Sequence, residues 1–234
     1  MVRMLANKDK PHGDIVCLCF NILSQSSSLF HKEFIRQIGE EMKNNVVSYL
    51  NDLTQNELRN IKKDTIDVIL KVLKFYLNFT VGLEEKNKII EKFSITFSTK
   101  MLKTSFLDKR IQAVKTLVDI IRTSKGDPNK SQMILKILEE SQIFNEIYGP
   151  NSHIQLINKS KDLLEIMIQE DRLSDGEMEL IWAATKKGDL EGKLTILKTL
   201  KEISKSLRPK HIQLLLNNIY SSSGELIKEE IDVK

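Results

Sequence analysis

The chain has few of the residues that build tight turns, disulfide frameworks and metal centres. Its 234 residues include two cysteines, four prolines, nine glycines and one tryptophan. So little proline and glycine argues against the many turns of a β-sandwich or β-barrel. Cys17 and Cys19 cannot build a disulfide framework, which favours a reducing compartment, the cytoplasm or also the nucleus. On a helix, two residues that far apart point to nearly opposite sides, so these thiols do not form a chelating pair.

The chain also lacks strong charge and long apolar runs. Its net charge is +4, and its 41% hydrophobic and 29% charged residues are ordinary for a soluble folded protein. The uncharged run from Ile15 to Phe30 is interrupted by asparagine, glutamine and serine. It is too polar and too short to span a bilayer, which needs about 20 mainly apolar residues. No secretory signal is visible, and we expect no membrane association.

The common loop motifs of nucleotide-binding proteins and hydrolases are absent. The chain contains no G-x-x-x-x-G-K-[ST], no G-x-G-x-x-G opening a helix after a strand, and no G-x-S-x-G. The four histidines are isolated in sequence, and we expect them at the surface or at helix caps: His12, His31, His153 and His211. We therefore expect no catalytic residue, metal site or cofactor.

Apolar spacing predicts an all-α chain. The predicted helices number about ten and cover residues 14–23, 29–50, 54–81, 84–102, 108–123, 133–147, 152–169, 176–186, 191–206 and 209–220. Thr54 and Glu57 predict a capping box, and Asp127 followed by Pro128 predicts a cap and a first helical position. The segment 94–99 is rich in β-forming residues but is interpreted as helix, because a lone strand would have no partner.

The predicted organisation is one domain between two polar ends. Residues 1–13 form a flexible lead-in, residues 14–222 a single helical-repeat domain with a sub-boundary near 103, and residues 223–234 a polar tail.

Two internal echoes suggest that the helices repeat. An apolar set recurs 34 residues later: Leu173, Met178, Leu180, Ile181 and Trp182 match Leu207, Ile212, Leu214, Leu215 and Leu216. Residues 107–120 and 190–203 share the pattern L-x-x-[KR]-apolar-x-x-apolar-K-T-L-x-x-I. Such units predict an armadillo- or HEAT-like stack, an α-solenoid. In this register Leu216 occupies a core position, which predicts that Trp182 is a packing anchor between helix pairs.

One run of basic residues stands out near the C-terminal end. This candidate basic ridge contains Lys186, Lys187, Lys193, Lys198, Lys201, Lys205, Arg208 and Lys210. It could receive an acidic protein surface or an RNA backbone. The simpler interpretation is a solvated helix face, since Asp189, Glu191 and Glu202 are interleaved. Few aromatic residues lie nearby to stack on bases, which disfavours nucleic acid.

An ordered set of short segments runs through residues 104–219. It comprises Ser105-Phe106, Tyr148-Gly149-Pro150 leading into LINKSKDLLEIMI, Leu173-Ser174, Leu180-Ile181-Trp182-Ala183-Ala184, and L-R-P-K-H-I. These segments resemble, in the same order, the helical-repeat region of the very large ubiquitin-specific proteases of the fat-facets type. The resemblance covers about half the chain, and Ile-Trp-Ala-Ala is its most specific piece.

The resemblance implies a non-catalytic, armadillo-like segment of a deubiquitinase, or a free-standing relative. Such segments are expected to bind protein substrates and partners, here from the ubiquitin pathway or a larger assembly. Catalysis in that family belongs to a separate cysteine-peptidase domain. Its Gly-x-Thr-Cys and Gly-His-Tyr segments are absent here, and the surroundings of Cys17 and Cys19, IVCLCFN, do not match. The alternatives are a fragment of an active thiol-dependent deubiquitinase whose catalytic domain lies outside this chain, and an RNA-binding helical repeat.

Overall fold

The computed structural model describes residues 13–26, 29–124, 126–187 and 189–232, and all regular structure in them is helical. The all-α prediction is therefore confirmed for the described chain. Apart from Gly13, the predicted lead-in lies outside the described residues. The helices divide between two compact units, Met1–Lys109 and Arg110–Lys234, and the division falls inside the helix Leu107–Ser124.

The first unit contains α1 (Gly13–Ser26), α2 (Lys32–Asn51), α3 (Gln55–Asn60), α4 (Lys63–Thr80) and α5 (Leu83–Leu102). The helix α6 (Leu107–Ser124) then leads into α7 (Pro128–Glu140), α8 (Ile143–Tyr148), α9 (Ile154–Gln169), α10 (Asp175–Thr185), α11 (Leu190–Ile203), a 3-10 helix (Ser204–Ser206) and α12 (Pro209–Asp232). No helix in the described part of the chain combines the length and apolarity needed to span a bilayer.

The helix α4 is the centre of the first unit. It packs against α1, α2 and α5. Its fully buried face consists of Ile69, Leu73, Tyr76 and Leu77, at helical spacing. Gly39 allows α2 to approach this helix closely, since a Cβ there would lie 2.4 Å from the Thr80 Cγ2 atom.

The capping box of Thr54 and Glu57 is confirmed, but the long helix predicted behind it is wrong. The helix α3 ends at Asn60, and Ile61 and Lys62 are extended before α4 begins. A buried cation occupies this break, because Lys109 Nζ donates a hydrogen bond of 2.5 Å to the Ile61 carbonyl. A positive charge at the carboxyl end of a helix is favourable.

The helix predicted at 133–147 is also two helices. It starts earlier, at Pro128, where the Asp127 side chain accepts from the Lys130 amide as an N-cap. The chain then breaks at Ser141 and at Gln142, whose φ of 49° is left-handed. The segment 94–99, by contrast, is helical within α5, as predicted.

In the second unit, α10 is in contact with three other helices. It packs against α8, α11 and α12, while α9 packs against α8 and α11. Met178 and Ile181 of α10 are fully buried. Its N-terminus carries an unpredicted capping box, in which Ser174 accepts from the Glu177 amide and Glu177 accepts from Ser174.

Two buried polar side chains fasten α8. Arg110 donates to the carbonyls of Glu146 and Asn151, at and beyond the end of this helix. Burial lowers the pKa of Arg110, and the nearby Glu146 opposes that shift. The Tyr148 hydroxyl lies 3.1 Å from the Ser160 hydroxyl, and burial raises the pKa of Tyr148 to about 12.

Candidate functional site

The structure pairs two residues of the candidate basic ridge with acids of the second unit. Arg208 forms an ion pair with Asp171, and Lys210 forms one of 2.9 Å with Asp175. These two cations fasten the start of α12 to the segments around α10. Lys210 is exposed beside its partner, as are Lys186, Lys187, Lys198, Lys201 and Lys205, and Lys193 is half-buried. Whether the eight residues act together as a binding surface stays a prediction.

The helix α11 carries an exposed apolar stripe beside these lysines. Leu190, Leu194 and Leu197 are 71%, 56% and 43% exposed. The spacing of these three leucines places them on one side of the helix, and Lys201 continues the same line. The opposite side is buried and consists of Ile196, Thr199, Leu200 and Ile203. The α11 stripe is therefore turned away from the helices that cover the rest of α11.

Local sequence explains where α11 starts and which way it faces. The Asp189 side chain accepts from the Gly192 amide at 2.8 Å and caps the first turn. The buried residues recur every three to four positions and pack against α9 and α10. The second sequence echo, residues 107–120 and 190–203, aligns Leu194 with Ile111 and Leu197 with Val114 and predicts core positions for both leucines. That assignment is wrong for both leucines, because no described neighbour covers this side of α11.

A second exposed apolar stripe lies on α12. Ile212, Leu216 and Ile219 recur at the spacing of one helix face and are 39%, 41% and 46% exposed. Tyr220 beside them is 72% exposed. The interpretation of Leu216 as a core position is therefore wrong.

Trp182, the echo partner of Leu216, is half-buried. Its Nε1 atom is buried and has no hydrogen-bond partner among the described residues. The Thr185 hydroxyl donates to the Trp182 carbonyl at 2.7 Å, which is a contact of the backbone only. Its role as a packing anchor stays a prediction.

The acidic residue nearest the end of the α11 stripe is neutralised from α9. Glu202 pairs with Lys161 at 2.6 Å. That hydrogen bond is the main cause that lowers the pKa of Glu202, with help from Lys198 and Lys201, and it raises the pKa of Lys161. Two acids remain near the first turn of α11, the capping residue Asp189 and the exposed Glu191, against the three lysines Lys193, Lys198 and Lys201. The surroundings of the α11 stripe are therefore positive on balance.

The thiols and histidines do not come together in the part of the chain described. Cys19 is a free, half-buried thiol on α1, and the Cys17 side chain lies outside the described part, as does His12. His31 and His153 are N-caps that accept from the Glu33 and Gln155 amides, as expected for capping histidines. Among the described residues, no three His, Cys, Asp or Glu side chains are grouped so that they could hold a metal ion.

His211 departs from the expectation of a surface or capping histidine. It is 2% exposed, and its Nε2 atom lies 3.2 Å from Asp175. Burial lowers its pKa, Lys210 lowers it further, and Asp175 opposes both. Its partner Asp175 has a lowered pKa, chiefly through the hydrogen bond from Lys210. This cluster joins α10 to α12 and belongs to the packing of the unit.

Sequence reasoning missed the exposed stripes because apolar periodicity is the same whether a helix face meets its own chain or something else. A usable signal was present. Lys193 and Lys198 lie on either side of the α11 stripe, and Lys201 continues it, whereas a face covered by its own chain rarely carries a lysine in line.

Comparison with known proteins places the chain beside large ubiquitin hydrolases. It is 26% identical over 199 residues to ubiquitin carboxyl-terminal hydrolase 9Y of Mus musculus, covering 78% of this chain and 7% of that protein. It is 21% identical over 186 residues to ubiquitin carboxyl-terminal hydrolase puf of Drosophila melanogaster, covering 77% and 5%. It is 25% identical over 146 residues to ubiquitin carboxyl-terminal hydrolase 34 of Homo sapiens, covering 60% and 4%.

These similarities are low in identity but extend over most of the chain. No family model and no solved structure matches it. The chain spans less than a tenth of the length of the curated relatives it matches. The chain, helical throughout its regular structure in the described residues, is thus similar at low identity to a short region of very large proteins named as ubiquitin carboxyl-terminal hydrolases.

Proposed function

We propose that the chain is a non-catalytic helical scaffold that binds protein partners and is a segment or relative of a large ubiquitin-specific protease. The observation that carries the proposal is the similarity of most of this chain to a small part of three such proteins. A short helical region inside a large enzyme is suited to recognition, because the chemistry belongs to a site elsewhere. The partners would be proteins of the ubiquitin pathway or of a larger assembly, in the cytoplasm or the nucleus.

The exposed apolar stripes give the scaffold a physical means of binding. Apolar side chains grouped at the surface and edged by polar residues are typical of interaction sites. In α11 and α12 the grouped residues lie on regular helices rather than on loops. A rigid binding surface loses less conformational entropy when a partner binds.

An armadillo-like stack is the finer form of this proposal. The echo of 34 residues aligns the sequence of α10 with that of α12, and these two helices pack against each other. Small-angle scattering would test the arrangement. A stack requires an elongated particle, whereas a radius of gyration equal to that of a compact globule of the same length would contradict it.

Partner binding is tested with the purified chain as bait, followed by reconstitution. We expect reproducible capture of specific proteins from lysate, with at least one of them binding again as a purified protein in a saturable manner. A folded chain that binds no purified candidate would contradict the scaffold.

The absence of catalysis is tested separately with a fluorogenic ubiquitin conjugate. We expect no turnover by the chain alone. Turnover that is lost in the Cys17→Ser/Cys19→Ser variant would favour the alternative of a thiol-dependent enzyme. The RNA-binding alternative requires an affinity that falls steeply with salt concentration.

A further inference from the structure

The α11 stripe is long enough to pack against one further helix. Leu190, Leu194, Leu197 and Lys201 extend along the helix for about 16 Å at 1.5 Å per residue. The three leucines are exposed, whereas Phe144 and Ile147 of α8 and Leu163 and Met167 of α9 are fully buried. Side chains at this spacing match the i, i+4, i+7 anchors of an amphipathic partner helix.

The lysines around the α11 stripe favour a partner with acidic residues. Lys193 lies on one side of the leucines, Lys198 on the other, and Lys201 at the end. Glu202 is held by Lys161 on α9 at 2.6 Å. A partner helix bringing leucines flanked by carboxylates would therefore meet lysines on both edges.

We propose that the α11 stripe is the docking site for an acidic amphipathic helix of a partner protein. This proposal rests on the scaffold function above and names the binding surface and the chemistry of the partner. The apolar contact would provide most of the affinity, and the lysines would set the orientation and the preference for acidic flanks. Lys187 and Lys205, outside α11, are not required.

A membrane surface is the competing occupant for an apolar stripe with lysines, and the structure argues against it. The opposite side of α11 is buried against α9 and α10, so this helix cannot turn or sink as an isolated amphipathic helix does. Its exposed apolar residues are three leucines, and Glu191 is exposed among them. Vesicle binding is therefore kept as an outcome that would overturn the proposal.

The test uses two fluorescent helical peptides titrated with the whole chain. The first is designed with leucines at i, i+4 and i+7 and with glutamates at their flanks, and the second replaces those glutamates with lysines. We expect the acidic peptide to bind at least roughly tenfold more tightly than the basic one at low salt. Equal binding of the two peptides, or no binding of the acidic peptide at about 1 mM chain, would overturn the proposal.

Two variants of the stripe separate its apolar and charged parts. Leu194→Ser/Leu197→Ser should weaken binding of the acidic peptide by at least roughly tenfold, because both leucines are exposed residues that would anchor the peptide. Lys193→Glu/Lys198→Glu/Lys201→Glu should reverse the preference, so that the basic peptide binds more tightly. Circular dichroism melts should stay close to that of the parent chain, since most of these side chains are exposed. If both variants fold and bind the acidic peptide like the parent chain, the proposal is wrong.

Matched control variants lie in the first unit. Leu83→Ser removes a leucine that is 70% exposed on α5, and Lys71→Glu/Lys74→Glu reverses two exposed lysines on α4. Neither control should change peptide binding. An equal loss in the controls would show that binding follows total charge or general apolarity and would contradict a site on α11.

The stripe proposal and the scaffold function fail in different ways. A Leu194→Ser/Leu197→Ser chain that still binds its purified partners leaves the scaffold intact and overturns the stripe. A parent chain that binds no partner overturns the scaffold. The membrane alternative has its own outcome. If the parent chain binds phosphatidylserine-containing vesicles but not the acidic peptide, and the leucine variant loses vesicle binding, the stripe binds a membrane and the proposal of a partner helix is wrong.

Discussion

His211 and Asp175 meet across the starts of α12 and α10, with 3.2 Å between the imidazole Nε2 and the carboxylate Oδ1. The histidine is buried, whereas Asp175 is exposed and also pairs with Lys210 at 2.9 Å. Although Asp175 favours the imidazolium, burial and the neighbouring Lys210 and Arg208 favour the neutral ring, and the pKa of His211 is lowered. Burial and these two cations thus outweigh Asp175, which opposes the lowering of the pKa of His211.

The lowered pKa of His211 predicts a loss of stability in weak acid. Unfolding returns the ring to a pKa of about 6.5, so the unfolded chain binds an extra proton below that pH. The stabilisation is complete above the unfolded pKa and decreases as the pH falls towards the folded one. Urea titrations between about pH 5 and pH 7.5 should show that the free energy of unfolding decreases as the pH falls. The His211→Gln variant should show a smaller decrease. An identical pH dependence of stability in the parent chain and in the variant would show that His211 is not its cause.

Gly39 should not tolerate a side chain. Alanine normally favours a helix interior by about 1 kcal/mol over glycine. Here its Cβ would lie 2.4 Å from Thr80 Cγ2 and 3.2 Å from the Tyr76 carbonyl oxygen. We expect Gly39→Ala to lower the free energy of unfolding by about 1–3 kcal/mol, as overpacking does. Denaturant midpoints at constant m-value measure this effect.

A second substitution tests whether this clash is the cause. Replacing Thr80 with serine removes Cγ2, so Gly39→Ala/Thr80→Ser should recover part of the loss. Gly82→Ala is a contrasting control, because a Cβ at Gly82 meets nothing within 4 Å. A double variant no more stable than Gly39→Ala would place the strain at the Tyr76 backbone instead.

The echo partners Met178 and Ile212 should respond differently to the same truncation. Met178 is fully buried, whereas Ile212 is 39% exposed. We expect Met178→Ala to cost about 2–5 kcal/mol of unfolding free energy through a buried cavity. Ile212→Ala should cost about 1 kcal/mol, since much of its side chain already contacts water. Thermal melts of the two variants at equal concentration provide the comparison, and equal losses would contradict the exposure of α12.

The two capping boxes should have similar energetic effects. Ser174 and Thr54 each accept from the amide of a glutamate three residues later. Ser174→Ala and Thr54→Ala should each lower the free energy of unfolding by about 1 kcal/mol. Asparagine at either position should restore most of it, because its side chain also accepts from the helix amides. Failure of asparagine to do so would assign the loss to packing rather than to capping.

Local chemistry explains which parts of the fold could be predicted. Thr54, Glu57, Asp127 and Pro128 act within one helical turn, and the structure confirms the helix starts that they predict. The all-helical content follows from the apolar spacing and the scarcity of glycine and proline. These signals are local and do not depend on what packs against a helix.

The breaks and the exposed faces depend on distant residues and could not be predicted. The chain breaks at Ile61 beside Lys109, which lies 48 residues further along. Gln142 adopts a left-handed conformation that its residue type does not demand. Leu197 and Val114 occupy equal places in a repeated pattern, yet only Val114 is buried. A spacing rule cannot distinguish these two cases.

The adjacent cations Lys109 and Arg110 have a practical consequence for cutting the protein into pieces. Lys109 donates to the carbonyl of Ile61 at the end of α3 in the first unit. Arg110 donates to the carbonyl of Glu146 at the end of α8 in the second unit. A fragment beginning at Arg110 would lack the first turn of α6. A fragment ending at Leu102 would lack the hydrogen bond that the Lys109 ammonium donates to the Ile61 carbonyl. An expression fragment of the second unit should therefore start in the turn before α6, at residues 103–106, while a first-unit fragment should extend past Lys109.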